Sequence, residues 1–343
     1  MYIYERVGGN AKNNSGNYKI QMAIDKKEVK ETVFKLAQDF LKNPPLIVWG
    51  SGATISFGLP SMWTLNETLK EKIDGFDTTN DNLEIELGKD KYLKQMPQIK
   101  DIIWHKINEA DTEVLDKISS NNTSSFIGII LLIEKFIEAH PQVLNIVTTN
   151  YDRVLEYTMS YKGISFTDGF EGKILSRFDE NLFQKKSIIN LIKVHGSLNW
   201  FNVDGEIRYL NNNSTEHQPQ IIAPGRNKFK EAYNSPYREL IQKADNAIKE
   251  AASFLVVGFG FNDEHLTPRI RTQIKKGIPI VLITKKITES TLIEIKGAKK
   301  YLLIEELDDT TTRVIFKSNN TDGEQKVELE GNYWQLLKFM DIL

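Results

Sequence analysis

Four polar clusters stand where apolar runs of this chain stop, and each contains residue types that can do chemistry. They are Gly50-Ser51-Gly52-Ala53-Thr54, Thr149-Asn150-Tyr151-Asp152, His195-Gly196-Ser197 and Gly258-Phe259-Gly260-Phe261-Asn262-Asp263. A neutral imidazole such as His195 can take a proton from a sugar hydroxyl or a water near neutral pH. Asn150 cannot act as a base, but its amide both donates and accepts, so it can orient a ribose hydroxyl or an attacking water. Helix capping is the competing reading of Asn150 and Asp152. Glycine in the first cluster lets backbone approach a pyrophosphate, and amides at a following helix start favour an anion. Glycine turns also occur in proteins that bind nothing, and a lone histidine is more often structural. The coincidence of all four clusters at the ends of apolar runs carries more weight than any one of them.

The bulk composition narrows the class. The chain has 343 residues, a net charge of −2, 40% hydrophobic and 26% charged residues, which describes an ordinary globular protein. The charge balance gives no reason to expect direct nucleic-acid binding, and the lysines at 185–186 and 296–300 read as solvated faces. The absence of cysteine removes disulfides, cysteine-ligated zinc, iron–sulfur clusters and thiol nucleophiles together. No apolar run reaches the roughly 20 residues of a membrane helix, and the N-terminal residues lack an apolar signal core. A cytoplasmic location without membrane contact is the expectation.

The elements that position these clusters follow a β/α rhythm. Apolar runs at 46–49, 143–148, 191–195, 254–258 and 280–283 read as buried parallel strands, with a short fourth strand at 221–223. Amphipathic helices at 25–40, 61–73 and 237–252, and one ending near 274, alternate with them; Ser61 is the N-cap of the second. The fold expected is α/β, a doubly wound parallel (Rossmann-like) sheet. Residues 1–24 read as a flexible arm, 25–290 as the ligand-binding domain with a helical insertion at about 74–140. Residues 291–343 read as a small α+β extension, an antiparallel add-on with a docking helix. Ligands of an open parallel sheet bind at the carboxyl ends of its strands, where the four clusters fall.

The segments GSGATISFGLP, TTNYD, KVHGSLNW and GFGFND resemble, in the same chain order, the motifs of the sirtuin superfamily. The resemblance is specifically to the bacterial and archaeal sirtuin-like branch of NAD-cleaving anti-phage defence proteins. It implies NAD as the substrate, with Asn150 and His195 catalytic and Asp152 against the carboxamide. Gly50, Ser51, Gly52, Ala53 and Thr54 would hold the pyrophosphate, Gly258, Gly260 and Asn262 the adenosine end, and Pro60 and Thr149 would complete the cofactor-binding set. Two departures from deacylating sirtuins stand out. Ser61-Met62-Trp63 replaces their D-F-R triplet, and the four zinc-binding cysteines are missing, so no zinc or other metal is expected. Thr284 stands where sirtuins often place an asparagine near the adenosine ribose. The resemblance further implies an abortive-infection effector kept silent until it oligomerises or meets a partner, such as a HerA-type ATPase, an Argonaute or another sensor. The helical segment and the tail beyond 301 are the surfaces expected to make such contacts. NAD-dependent deacylation, ADP-ribosyl transfer and a non-catalytic NAD-sensing subunit remain open alternatives. A dehydrogenase is disfavoured, because the third glycine of Gly-x-Gly-x-x-Gly is absent.

Overall fold

A computed structural model describes residues 26–77, 83–139, 143–184, 188–210, 217–225 and 228–343. The arm read at 1–24 and the lysine pair at 185–186 lie outside them. Helix α1 (Lys26–Phe40) leads into strand β1 (Leu46–Trp49). Helices α2 (Met62–Lys72), α3 (Leu83–Leu87), α4 (Met96–Ser119) and α5 (Ile127–Ile137) precede strand β2 (Leu144–Thr148), helix α6 (Val154–Lys162) and strand β3 (Phe166–Thr167). Short strands follow: β4 (Phe170–Glu171), β5 (Leu175–Phe178), β6 (Ile189–Lys193), β7 (Gly196–Val203), β8 (Glu206–Leu210) and β9 (Pro219–Ile221). Then come α7 (Lys228–Ala232), α8 (Tyr237–Glu250), β10 (Phe254–Val257), α9 (Thr267–Lys276), β11 (Ile280–Thr284) and α10 (Glu289–Ile295). Strands β12 (Tyr301–Asp308), β13 (Thr311–Lys317) and β14 (Gln325–Glu330) and helix α11 (Leu336–Met340) complete the described order.

The main sheet has the order β14-β13-β12-β11-β10-β1-β2-β6-β3. It is parallel from β12 through β3, and β13 and β14 add an antiparallel edge. Its central strands are apolar at every position because both faces are covered. Alternation of side chains sends Ile47, Trp49, Leu255 and Val257 to one core and Leu46, Val48, Phe254 and Val256 to the other. Helices α2, α4 and α5 build the first core, with Leu69, Ile103 and Ile133 among their buried residues. Helices α8 and α9 build the second through Leu240, Ala244, Ile270 and Ile274. The doubly wound arrangement is therefore present.

Three local readings need correction. The strands from Tyr301 onward are no separate add-on: β12 pairs in parallel with β11, and β13 and β14 extend the same sheet. The short strand read at 221–223 is β9, which ends at Ile221 and belongs to a second, antiparallel sheet of order β4-β5-β8-β7-β9. His195 does not close the strand read at 191–195, which ends at Lys193. It is the junction between β6 of the main sheet and β7 of the second one. Short apolar strands read alike whether their neighbours run parallel or antiparallel, so sequence alone did not separate these cases.

The helix after β1 starts later than a simple glycine turn would allow. Two 3-10 turns, Ser51–Ala53 and Ile55–Phe57, intervene before Ser61 caps α2, its hydroxyl accepting from the Thr64 amide at 3.1 Å. The β1 and β10 loops meet backbone to backbone. A Cβ added to Gly258, whose φ is +60°, would lie 2.1 Å from the Ala53 nitrogen. At Gly260 the nearest atom to such a Cβ is Asn262 Nδ2 at 3.4 Å, and no positive φ is required. Gly258→Ala is therefore expected to lower unfolding free energy by at least about 2 kcal/mol, combining backbone strain and overpacking. Gly260→Ala should stay within about 0.5 kcal/mol of wild type in the same denaturant titration.

Candidate active site

Chain order reverses direction across the sheet between β1 and β10, with β2 and β6 on one side and β11 and β12 on the other. Outside the carboxyl ends at such a switch point, an α/β sheet leaves a crevice. A cavity of about 900 Å³ occupies it. That is the upper end of the roughly 300–1,000 Å³ typical of small-molecule sites. The structure brings Ser51, Gly52, Thr54, Pro60, Thr149, Asn150, Asp152, His195, Gly258, Gly260 and Asn262 to its walls. Gly50 and Ala53 lie behind the wall. Thr284 lines the cavity as well, at the carboxyl end of β11.

The glycine loop does not offer the row of amides expected for a pyrophosphate. Gly50 N donates to Val257 O at 2.9 Å, Gly52 N to Gly258 O at 2.9 Å, Ala53 N to Gly50 O at 3.0 Å and Thr54 N to Ser51 O at 3.1 Å. Thr54 also turns inward. Its hydroxyl donates to Ser51 O at 3.1 Å and to Asp152 Oδ2 at 3.2 Å. These glycines are needed because a Cβ on Gly50 or Gly52 would strike Gly258 O at 2.5 or 2.8 Å. Ser51, Gly52, Thr54 and Ile55 are the residues with which the loop lines the cavity.

Asn150 is held from two sides. Its backbone N–H donates to Thr148 Oγ1 at 3.0 Å, and Thr148 Oγ1 donates to Trp49 O at 2.8 Å, tying β2 to β1. Its side-chain Nδ2 donates to Asp152 Oδ2 at 3.0 Å. With the amide nitrogen facing Asp152, the carbonyl oxygen faces elsewhere. That oxygen, Oδ1, is buried and has no protein partner. An unmatched buried acceptor on a cavity wall costs about 1–3 kcal/mol and is relieved by a ligand or a water.

Beneath this loop lies Lys193, a buried cation on β6. Its Nζ donates to Glu156 Oε1 at 2.5 Å and to Asp152 O at 2.6 Å, so it pins the Asn150–Asp152 turn from below. Burial still dominates at Asp152 and pushes its carboxyl up to about 7, against the opposing pull of Lys193. Burial likewise pushes Asp168 up to about 6. Tyr151 is fixed by donating to Ile222 O at 2.6 Å, and desolvation raises its phenol far above the usual range.

Across the cavity, the backbone of His195 is clamped by Val194 N donating to Thr148 O at 3.1 Å and Ile222 N donating to His195 O at 2.9 Å. Its Nε2 lies 3.3 Å from Asp263 Oδ2. Asp263 Oδ1 accepts the amides of His265 at 3.0 Å and Leu266 at 2.8 Å, just before α9. His265 comes within 3.4 Å of His195. The sequence reading did not assign roles to Asp263, His265, Lys193 or Lys286, an exposed lysine of the cavity wall. The sequence marks Asp263 only as part of the fourth polar cluster and His265 not at all; the return of the chain brings both to His195. Trp63, 68% exposed, and Met62 stand at the cavity wall, the first residues of α2.

A family model described as a SIR2-like domain matches residues 144–279, a span that holds Asn150, His195 and the loop after β10 but not the first glycine loop. Among solved structures, a SIR2 homolog–NAD complex is 15% identical with a TM-score of 0.43, covering 81% of this chain and 87% of that one. A Sir2–p53 peptide–NAD+ complex is 14% identical, with a TM-score of 0.44 and coverage of 75% and 88%. Sir2Tm bound to a propionylated peptide gives 13%, 0.42, 75% and 88%. No curated protein matches the sequence. Among the described residues, no helix is long and apolar enough to cross a membrane.

The raised carboxyls set a pH dependence of stability. In the unfolded chain an aspartate ionises near 3.9, so the folded state holds its protons to higher pH. The resulting stabilisation is fully present below about 3.9 and is lost as pH rises through about 6 at Asp168 and about 7 at Asp152. Asp152→Asn removes that loss at one site. Its melting temperature relative to wild type is expected to rise between about pH 5 and pH 8, by an increment equivalent to a few kcal/mol at most. A difference that stays constant across this range would refute the assignment.

Proposed function

We propose that this protein is an NAD glycohydrolase, cleaving the nicotinamide–ribose bond of NAD with water to give ADP-ribose, nicotinamide and a proton. The observation that carries the reading is the unmatched Asn150 Oδ1 on the wall of a dinucleotide-sized cavity that His195 also lines. The match of residues 144–279 to a SIR2-like domain supports NAD as the molecule handled. In this reading the C1′–N bond breaks through an oxocarbenium-like state, and neutral nicotinamide leaves with the bonding electrons. The water oxygen then bonds to C1′, and its proton passes to His195. Little covalent work falls to the protein; positioning and electrostatics supply most of the effect.

Asn150 orients the ribose or the water through its carbonyl oxygen. Asp152 keeps that oxygen pointed outward by accepting from Nδ2. Asp263, 3.3 Å from His195 Nε2, would fix which ring nitrogen carries the proton. The cavity extends past Gly258, Gly260 and Asn262 to Thr284 and Lys286, a stretch suited to the adenosine half. Trp63 offers a flat apolar face for a base ring. The departures at Ser61-Met62-Trp63 and the absence of cysteine favour water over an acyl-lysine peptide as the acceptor. A constitutive enzyme of this kind would drain its own cell of NAD. We therefore place it as an anti-phage effector switched on by assembly or by a partner.

His195→Ala and Asn150→Ala are each expected to reduce NAD turnover by about 10²-fold or more, measured as ADP-ribose formed by the purified chain with its partner present. Full activity in either variant would refute the reading. Turnover that required an acylated peptide would select deacylation, label transfer to protein would select ADP-ribosylation, and tight binding without product would select a sensing subunit.

A further inference from the structure

Two histidines and a carboxylate converge beside the cavity. His195 Nε2 is 3.3 Å from Asp263 Oδ2 and 3.4 Å from His265 Nδ1, and the three atoms lie within 4.8 Å of one another. All three residues are buried. Hydrogen bonds from nitrogen cluster near 2.9–3.0 Å, so both contacts are long. Bonds of about 2.0–2.1 Å arranged tetrahedrally around a zinc ion set neighbouring ligand atoms about 3.3–3.4 Å apart. The two measured separations are those of a tetrahedron's edges. The imidazole planes also stand at 72° to each other, so their nitrogens converge without the rings stacking.

We propose that His195 Nε2, His265 Nδ1 and Asp263 Oδ2 form a binding site for one divalent transition-metal ion of the zinc class, with the fourth position open to the cavity. Two imidazoles and one carboxylate suit zinc or cobalt and are poor ligands for magnesium or calcium, which take oxygen. The carboxylate is braced from behind, as metal ligands usually are, and the backbones of both histidines are held. Asp263 Oδ1 is occupied by the amides of His265 and Leu266, which turns Oδ2 toward His195. The His265 carbonyl accepts from Arg269 Nη1 at 2.9 Å, and the His195 carbonyl accepts from Ile222 N at 2.9 Å. His195 and Asp263 line the cavity, so an ion between them faces a ligand or a water. Resting on the reading of His195 as the base, an ion at Nε2 forces the single ring proton onto Nδ1, so neither nitrogen is left to accept the proton of the water. Metal occupancy then acts as a brake on NAD cleavage.

The test is binding first and activity second. Chelator-treated full-length protein is titrated with Co2+, following the visible absorption of tetrahedral cobalt, and then with Zn2+ and Mg2+ as competitors. One cobalt ion per chain is expected, displaced by zinc and unaffected by magnesium. His265→Gln and Asp263→Asn are each expected to weaken cobalt binding at least about tenfold, with melting temperatures confirming that the variants fold. Absence of a tetrahedral spectrum in wild type overturns the site whatever the variants do, as does unchanged affinity in folded His265→Gln. Zinc is expected to suppress NAD turnover in wild type but not in His265→Gln. Cobalt binding without that suppression would leave the site standing and overturn only the brake. NAD turnover dependent on His195 without any cobalt binding would leave the hydrolase standing and overturn the site.

Discussion

The close approach of two loops sets the geometry from which the rest of the site is built. The loop after β1 and the loop after β10 meet backbone to backbone, with Gly50 and Gly52 against the Gly258 carbonyl and Gly258 against Ala53. Any side chain at those three positions would push the loops apart. Because β1 and β10 flank the point where chain order reverses, this contact is the floor of the crevice. Two amides of the first loop, Gly50 N and Gly52 N, donate to carbonyls at the end of β10, which locks the floor with hydrogen bonds as well as sterics. Glycine here serves protein packing first. Ligand approach is a consequence, since loops this close leave a flat surface with no side chains on it.

On that floor stand two walls of buried polar groups, and each solves the cost of burial differently. An unpaired buried polar group costs several kcal/mol, so such groups survive only inside satisfied networks. The Asn150 wall is satisfied through Asp152, Thr54 and Thr148, with Lys193 below, and leaves a single acceptor, Asn150 Oδ1, toward the cavity. The His195 wall is held by Asp263 and its capping of α9, but its internal contacts are long. One wall is therefore complete except at the atom that meets a ligand. The other sets two imidazoles and a carboxylate 3.3 and 3.4 Å apart, the spacing on which the proposed ion site rests.

Much of this was legible in the sequence because burial on both faces writes itself as unbroken apolar strands. The runs at 46–49, 254–258 and 280–283 could hardly be placed elsewhere than mid-sheet, and the polar clusters at their ends marked the crevice. Ser61 was readable as a cap for the same local reason. The parts that were not legible depend on contacts distant in sequence. Thr54 looked like a phosphate ligand until Asp152, 98 residues on, appeared beneath it. Asp263 reads only as part of a polar cluster at a strand end, and nothing local to it or to His265 points to His195, 70 residues before His265. The antiparallel partners of β9 and the sheet membership of β12 likewise depend on pairing, which short apolar strands do not specify alone.

The helical segment between β1 and β2 reads in the sequence as an insertion or a layer over the sheet, and its packing ties it to the site. Asp111 on α4 is fully buried, and its carboxylate accepts the Arg153 amide at 2.6 Å, Arg153 Nε at 2.8 Å and the Tyr157 hydroxyl at 2.7 Å. Arg153 directly follows Asp152. Removing one partner of a buried ion pair costs about 3–5 kcal/mol, a large fraction of a domain's stability. Trp104, also on α4, donates to the Leu198 carbonyl of β7 at 2.9 Å, so the same helix grips the strand that follows His195. Helix α4 thus holds the segments carrying both proposed catalytic side chains. A force that shifted it could not leave Asn150 and His195 in place, which makes the helical layer a working part of the site rather than a cover laid over it.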